Sequence, residues 1–94
     1  MGAIHNFADF DAQLAEARVG MNDLLQKYPG DDFLESITRQ LGFVYDWTRG
    51  GKRPAREQIK KLSFGVMASR SVDELNSDLA QTLYRLANFL DNWP

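Results

Sequence analysis

The sequence predicts an all-α protein, a compact antiparallel four-helix bundle made of one domain over residues 1–94. Apolar residues recur every three or four positions in four segments, which is the spacing of one helix face. Breaks rich in glycine or proline separate the segments, and none alternates apolar and polar residues as a half-buried strand does. Short breaks make sequential helices antiparallel neighbours. The predicted helices cover residues 7–28, 31–49, 54–69 and 72–92.

The first two predicted helices have start and stop signals. Asn6 and Asp31 are the expected N-caps, because a short side-chain oxygen accepts a hydrogen bond from a free backbone N–H there. Tyr28-Pro29-Gly30 ends the first helix and Gly50-Gly51 ends the second. The rows expected in the core are Phe7, Phe10, Leu14, Ala17, Met21, Leu24 and Tyr28, then Leu34, Ile37, Leu41, Val44 and Thr48, widened by Phe33 and Tyr45.

The last two helices are predicted from similar signals. Pro54 is expected in the first turn of the third helix, where its missing N–H costs nothing. Ile59, Leu62 and Val66 form the row of that helix, and Phe64 falls outside it. Ser71 and Glu74 have the spacing of a capping box, which predicts the start of the fourth helix. The row of the fourth helix is Val72, Leu75, Leu79, Leu83, Leu86, Leu90 and Trp93.

Composition excludes most kinds of chemistry. The chain has no cysteine and a single histidine, His5, which precedes the first helix. Disulfide scaffolds, thiol catalysis and His/Cys metal clusters are therefore excluded. The sequence also has no phosphate-binding glycine loop and no Gly-x-Ser-x-Gly. We predict no catalytic, cofactor-binding or metal-binding residue and no enzymatic activity. We also expect no targeting segment and no membrane contact, since apolar runs are far shorter than the about 20 residues of a membrane span.

Charge is zoned along the chain, although the net charge is only −2. Residues 1–48 carry three basic and eight acidic side chains. Residues 49–70 carry seven basic side chains and one acidic one, and residues 71–94 carry one basic and four acidic side chains. The basic block is either a solvated helix face beside acidic neighbours, or a site for an anion or nucleic acid. The candidate residues of such a site are Lys52, Arg53, Arg56 and Lys60. Nucleic acid would require more basic surface and more aromatic residues among the cations.

Aromatic residues outside the core rows are candidates for a protein interface. Phe64 and Phe89 lie off the rows, and Trp47 and Trp93 lie at helix ends. Large apolar side chains at a surface commonly mark such an interface. Trp47 has Asp46 and Arg49 as near neighbours, a mixture typical of interface anchors.

Several short segments resemble the small helical immunity proteins of bacterial type VI secretion, in particular those that neutralise NAD(P)+ glycohydrolase toxins. The resemblance extends over residues 18–90 and depends on the order and spacing of the segments. The matching residues are Leu25-Gln26-Lys27-Tyr28-Pro29-Gly30, Ser36, Gln40-Leu41, Leu62, Gly65, Ala68, Leu79-Ala80 and Tyr84.

The resemblance implies a cytoplasmic bacterial protein that needs no cofactor. It would bind the catalytic domain of a cognate secreted toxin, encoded by the adjacent gene, and block the toxin's active site. Related toxins carry other nucleotide-acting domains, so the resemblance leaves the reaction open. Sites for NAD or nucleoside phosphates are commonly basic, so acidic side chains would complement them. The residues expected at the toxin interface are therefore Asp31, Asp32 and Glu35, with Asp46 and Trp47.

Overall fold

The computed structural model describes residues 3–93, and the secondary structure within this range is helical, without strands. The Cα radius of gyration is 12.3 Å, close to the about 12 Å expected of a compact chain of this length. The prediction of a compact all-helical protein is therefore confirmed. The helices are α1 (Phe7–Lys27), α2 (Asp32–Thr48), α3 (Arg56–Lys60), α4 (Phe64–Ser71) and α5 (Ser77–Asp91), with a 3-10 turn at Arg49–Gly51.

One hydrophobic core joins the four longer helices. Helix α1 packs against α2 and α5, and α4 packs against the same two helices. The rows predicted for α1, α2 and α5 supply most of the core, including Thr48, whose hydroxyl donates to the carbonyl of Val44 (2.8 Å). Four positions predicted in these rows are wrong, because their side chains are exposed. Tyr28 and Leu75 lie in the turns that follow α1 and α4, and Phe33 and Tyr45 lie on the solvent side of α2.

Four aromatic rings hold the start of α1 against the end of α5. The centroid of the Phe10 ring lies 5.3 Å from that of Phe89 and 5.5 Å from that of Trp93, and Phe7 lies 6.1 Å from Trp93. Phe89 is buried and Trp93 is half-buried. The expectation that Phe89 is a surface residue is therefore wrong, because α1 covers this face of α5.

The third predicted helix is wrong as a single helix, since the structure divides it into α3 and α4. The backbone N–H of Ser63 donates to the side-chain carbonyl of Gln40 on α2 (2.7 Å), and not to a carbonyl one turn earlier. The interruption rotates the second half relative to the first. Phe64 consequently points into the core, whereas Val66 is 62% exposed, the reverse of the predicted placement.

The predicted starts of the last two helices also need correction. Pro54 precedes α3, which begins at Arg56, and its side chain is buried. Ser71 does not form the expected capping box, because it still belongs to α4 and its hydroxyl donates to the carbonyl of Met67 (2.8 Å). The N-cap of α5 is Asn76, whose side-chain oxygen accepts the N–H of Leu79 (3.1 Å). By contrast, the predicted caps Asn6 and Asp31 are confirmed.

The chain leaves α2 through two glycines with left-handed backbone geometry. Gly50 and Gly51 have φ of 75° and 83°, a region that side-chain-bearing residues rarely adopt. This turn carries the basic block of the sequence away from the axis of α2 and toward α3.

Candidate interaction surface on helix α2

Helix α2 presents a row of charged and aromatic side chains to solvent. The row follows from the burial of the opposite face, where Leu34, Ile37, Leu41 and Val44 are fully enclosed. Along a helix of 1.5 Å rise per residue, it extends about 21 Å. We call these residues the outer row: Asp32, Glu35, Arg39, Phe43 and Asp46, all of them exposed.

The three acidic residues predicted at the start of α2 have different surroundings. The Asp31 carboxylate accepts the backbone N–H of Leu34 (3.0 Å), so it caps the helix. Asp32 and Glu35 lie in the first turn, where a negative charge is favoured by the helix dipole. These two side chains belong to the outer row, whereas Asp31 precedes it and is engaged by the backbone.

An aromatic pair occupies the last turns of α2. The rings of Phe43 and Trp47 are stacked, with centroids 5.9 Å apart and planes inclined by 14°. Phe43 is 47% exposed and Trp47 is half-buried. Phe43 was absent from the predicted site because it belongs to no apolar row. Its position four residues before Trp47, where side chains on a helix meet, was the signal available in the sequence.

Tyr45, a third aromatic residue near this end of α2, is in contact with two arginine side chains. The guanidinium of Arg18 on α1 lies 4.7 Å from the centre of the Tyr45 ring, and that of Arg49 lies 5.7 Å from it. Such contacts contribute about 0.5–1 kcal/mol each at exposed sites. Tyr45 therefore connects α1 to the end of α2, and its ring is engaged within the chain.

The structure brings part of the acidic set and part of the basic set together. Asp46, Trp47, Lys52 and Arg53 line one cavity of about 400 Å³, with Ala55 and Gln58. A neighbouring cavity of about 230 Å³ is lined by Arg53, Arg56, Ile59, Lys60 and Asp91. Asp31, Asp32 and Glu35 do not join this group, because they lie at the opposite end of α2.

Other features of chemical interest are few in the part of the chain that the structure describes. Within residues 3–93, no group of three carboxylate or imidazole side chains is arranged to hold a metal ion. No helix in that range is both long and apolar enough to cross a bilayer. Partial burial and the carboxylate of Asp73 raise the pKa of the Tyr84 phenol on α5, away from the outer row.

These observations define a small helical protein with acidic and aromatic candidates on the outside of α2 and basic candidates beyond the end of that helix. The chain belongs to the Tsi6 family of type VI secretion immunity proteins, since the family model matches residues 9–92. The match covers nearly the whole chain and confirms the resemblance found in the sequence. The comparison with curated proteins and that with solved structures gave no match.

Proposed function

We propose that this chain binds the catalytic domain of a cognate type VI secretion toxin and blocks its active site. The toxin is an NAD(P)+ glycohydrolase or another nucleotide-acting enzyme, and the chain acts in the bacterial cytoplasm as a binding protein without catalysis of its own. The observation that carries the proposal is the family match over residues 9–92.

The contact surface in this proposal is the outer row together with Trp47 and Asp31. Asp32, Glu35 and Asp46 contribute three carboxylates on one face of α2. An active site that binds phosphate groups carries fixed positive charge, so carboxylates on this face would steer the chain toward it and favour the correct orientation. Asp31 keeps its capping role and adds negative charge at the start of the helix.

We also propose that neighbouring helices of the bundle run antiparallel to each other. Phe10 near the start of α1 stacks on Phe89 near the end of α5. Further along α1, Gly20 lies against Leu79 near the start of α5. Partner numbers fall as residue numbers rise, and this is the pattern of an antiparallel pair.

A second candidate function uses the basic block. Arg53, Arg56 and Lys60 share one cavity, which is the arrangement expected of an anion site, although Asp91 contributes a carboxylate to the same wall. Lys52 lies in the adjoining cavity. For this candidate we expect binding to labelled duplex DNA or RNA at low salt, lost on charge reversal of these residues. No binding at low salt would exclude it.

Co-expression tests the immunity function. The catalytic domain encoded by the adjacent gene is produced in a bacterial host, with and without this chain. We expect the chain to restore growth, and the triple variant Asp32→Asn, Glu35→Gln, Asp46→Asn to protect less well. The matched control removes the same charge from exposed positions of α1, in the variant Asp11→Asn, Glu16→Gln, Asp23→Asn. Equal killing with and without the unsubstituted chain would contradict the proposed function.

A further inference from the structure

Phe43 is an exposed aromatic side chain on the outer row of α2. Its side chain is 47% exposed, and its ring stacks on that of Trp47. Tyr45 is also exposed, but it differs because the guanidinium groups of Arg18 and Arg49 lie against its ring. About half of the Phe43 side chain remains in contact with water. A partner that covered this apolar surface would gain binding energy from its burial.

The surroundings of Phe43 are those of an interface centre. On the outer row it has Arg39 on one side and Asp46 on the other, with Glu35 two turns earlier. Binding energy at protein interfaces concentrates on a few aromatic or arginine residues, which polar neighbours shield from water. The stack on Trp47 and the rigid helix backbone hold the ring in place, so little conformational entropy would be lost on binding.

The backbone beside Phe43 is also accessible. A Cβ atom built on Gly42 would meet no heavy atom of the chain within 4 Å, so this position borders open space. The absent side chain allows a partner surface to approach α2 closely next to the ring. Phe43 therefore lies beside a position without a side chain, Gly42, and has charged side chains before and after it on the outer row.

The chemistry of this surface indicates what it fits. A flat ring and a carboxylate one turn apart resemble, in outline, the base and the phosphate of a nucleotide. A cleft that takes a nucleotide holds the base between apolar walls and the phosphates beside cations. We propose that Phe43, backed by Trp47, anchors the chain in the nucleotide cleft of the cognate toxin, with its ring in the base slot and the Asp46 carboxylate facing the phosphate-binding cations. This inference rests on the proposed function.

Affinity measurements on the full chain test the anchor. The probe is the catalytic domain encoded by the adjacent gene, titrated by calorimetry with the unsubstituted chain and with Phe43→Ala. We expect Phe43→Ala to weaken binding about 30-fold or more, the effect of a hot-spot residue. Asp46→Asn should slow association and reduce its dependence on salt. Thermal unfolding of each variant verifies that the fold is intact.

Two exposed apolar residues provide matched controls. Val19 on α1 and Val66 on α4 are each 62% exposed, and the changes Val19→Ala and Val66→Ala should alter affinity less than about twofold, because exposed side chains outside an interface contribute little. If the unsubstituted chain binds and Phe43→Ala binds equally well, the anchor is wrong and the proposed function stands. If the unsubstituted chain does not bind, the proposed function fails, and the anchor fails with it.

Discussion

At the scale of single residues, Gln40 connects α2 to the start of α4. Its side-chain carbonyl accepts the N–H of Ser63 (2.7 Å), and its amide nitrogen donates to the hydroxyl groups of Ser63 (3.2 Å) and Ser36 (3.1 Å). The same nitrogen lies 3.5 Å from the sulfur of Met67. One side chain on α2 therefore satisfies the first free donor of α4 and fixes where α4 begins.

We expect Gln40→Ala to lower the free energy of unfolding by about 0.5–1.5 kcal/mol, because the hydrogen bonds of the Gln40 side chain to Ser36 and Ser63 are lost. The neighbour Arg39 is exposed, and Arg39→Ala should change stability by no more than about 0.5 kcal/mol. Urea denaturation followed by far-UV circular dichroism compares the two. Equal stability of both variants with the unsubstituted chain would show that Gln40 does not hold α4.

The sequence predicts individual residues well where the interaction is local. The caps at Asn6 and Asp31 depend on a backbone N–H three residues away, and both are present. The Ser71–Glu74 pattern has equally good local chemistry, yet α4 extends through Ser71 and Asn76 provides the cap. Which of two adequate caps is used depends on how far α4 continues, and that is set by packing.

At the scale of elements, α3 is the least anchored helix. It has five residues and no buried side chain, whereas α1, α2, α4 and α5 each contribute to the core. One local hydrogen bond supports its start, since the backbone N–H of Ala55, the residue before α3, donates to the side-chain carbonyl of Gln58 (2.8 Å). An isolated helix of this length is unstable in water.

We therefore expect the amides of α3 to exchange with solvent faster than those of α2, by at least about tenfold, because little apolar contact opposes local opening. Hydrogen exchange of the free chain, followed by NMR or mass spectrometry, measures both helices in one experiment. Slow exchange in α3, at the rate found in the middle of α2, would contradict this description. A bound toxin that slowed α3 would indicate that the basic block also contacts the partner.

The bounds of a helix are predicted accurately where residues close in sequence define them, and poorly where a contact between distant residues defines them. Helices α1 and α2 have bounds within one residue of those expected, because their rows and caps are local. The division between α3 and α4 depends on a bond between Gln40 and Ser63, 23 residues apart. Periodicity within one segment contains no information about such a bond. The exposed position of Val66 and the buried position of Phe64 follow from it and were missed for the same reason.

At the scale of the whole molecule, charge separates along the chain and along α2. The acidic start of α2 and the basic segment after its end are about 20 Å or more apart at the rise of a helix. The net charge of −2 therefore does not show that one end of α2 is acidic and that the segment after its other end is basic. The structure places Asp32, Glu35, Asp46 and Trp47 on or beside the outer row, and their contact with a toxin stays a prediction. Phe43 was not among the predicted interface residues because it belongs to no apolar row, although its position four residues before Trp47 was visible in the sequence.

We propose that this chain occupies the toxin's active site, and the turnover of the toxin's catalytic domain tests this most directly. The initial rate is measured with the nucleotide substrate at several concentrations, while the chain is added up to and beyond equimolar amounts. We predict that turnover falls toward zero near equimolar chain. With the catalytic domain diluted to near the Kd of the complex, we expect that raising the nucleotide concentration weakens the inhibition. Binding that leaves turnover unchanged, or inhibition that is insensitive to the nucleotide, would contradict occupation of the cleft.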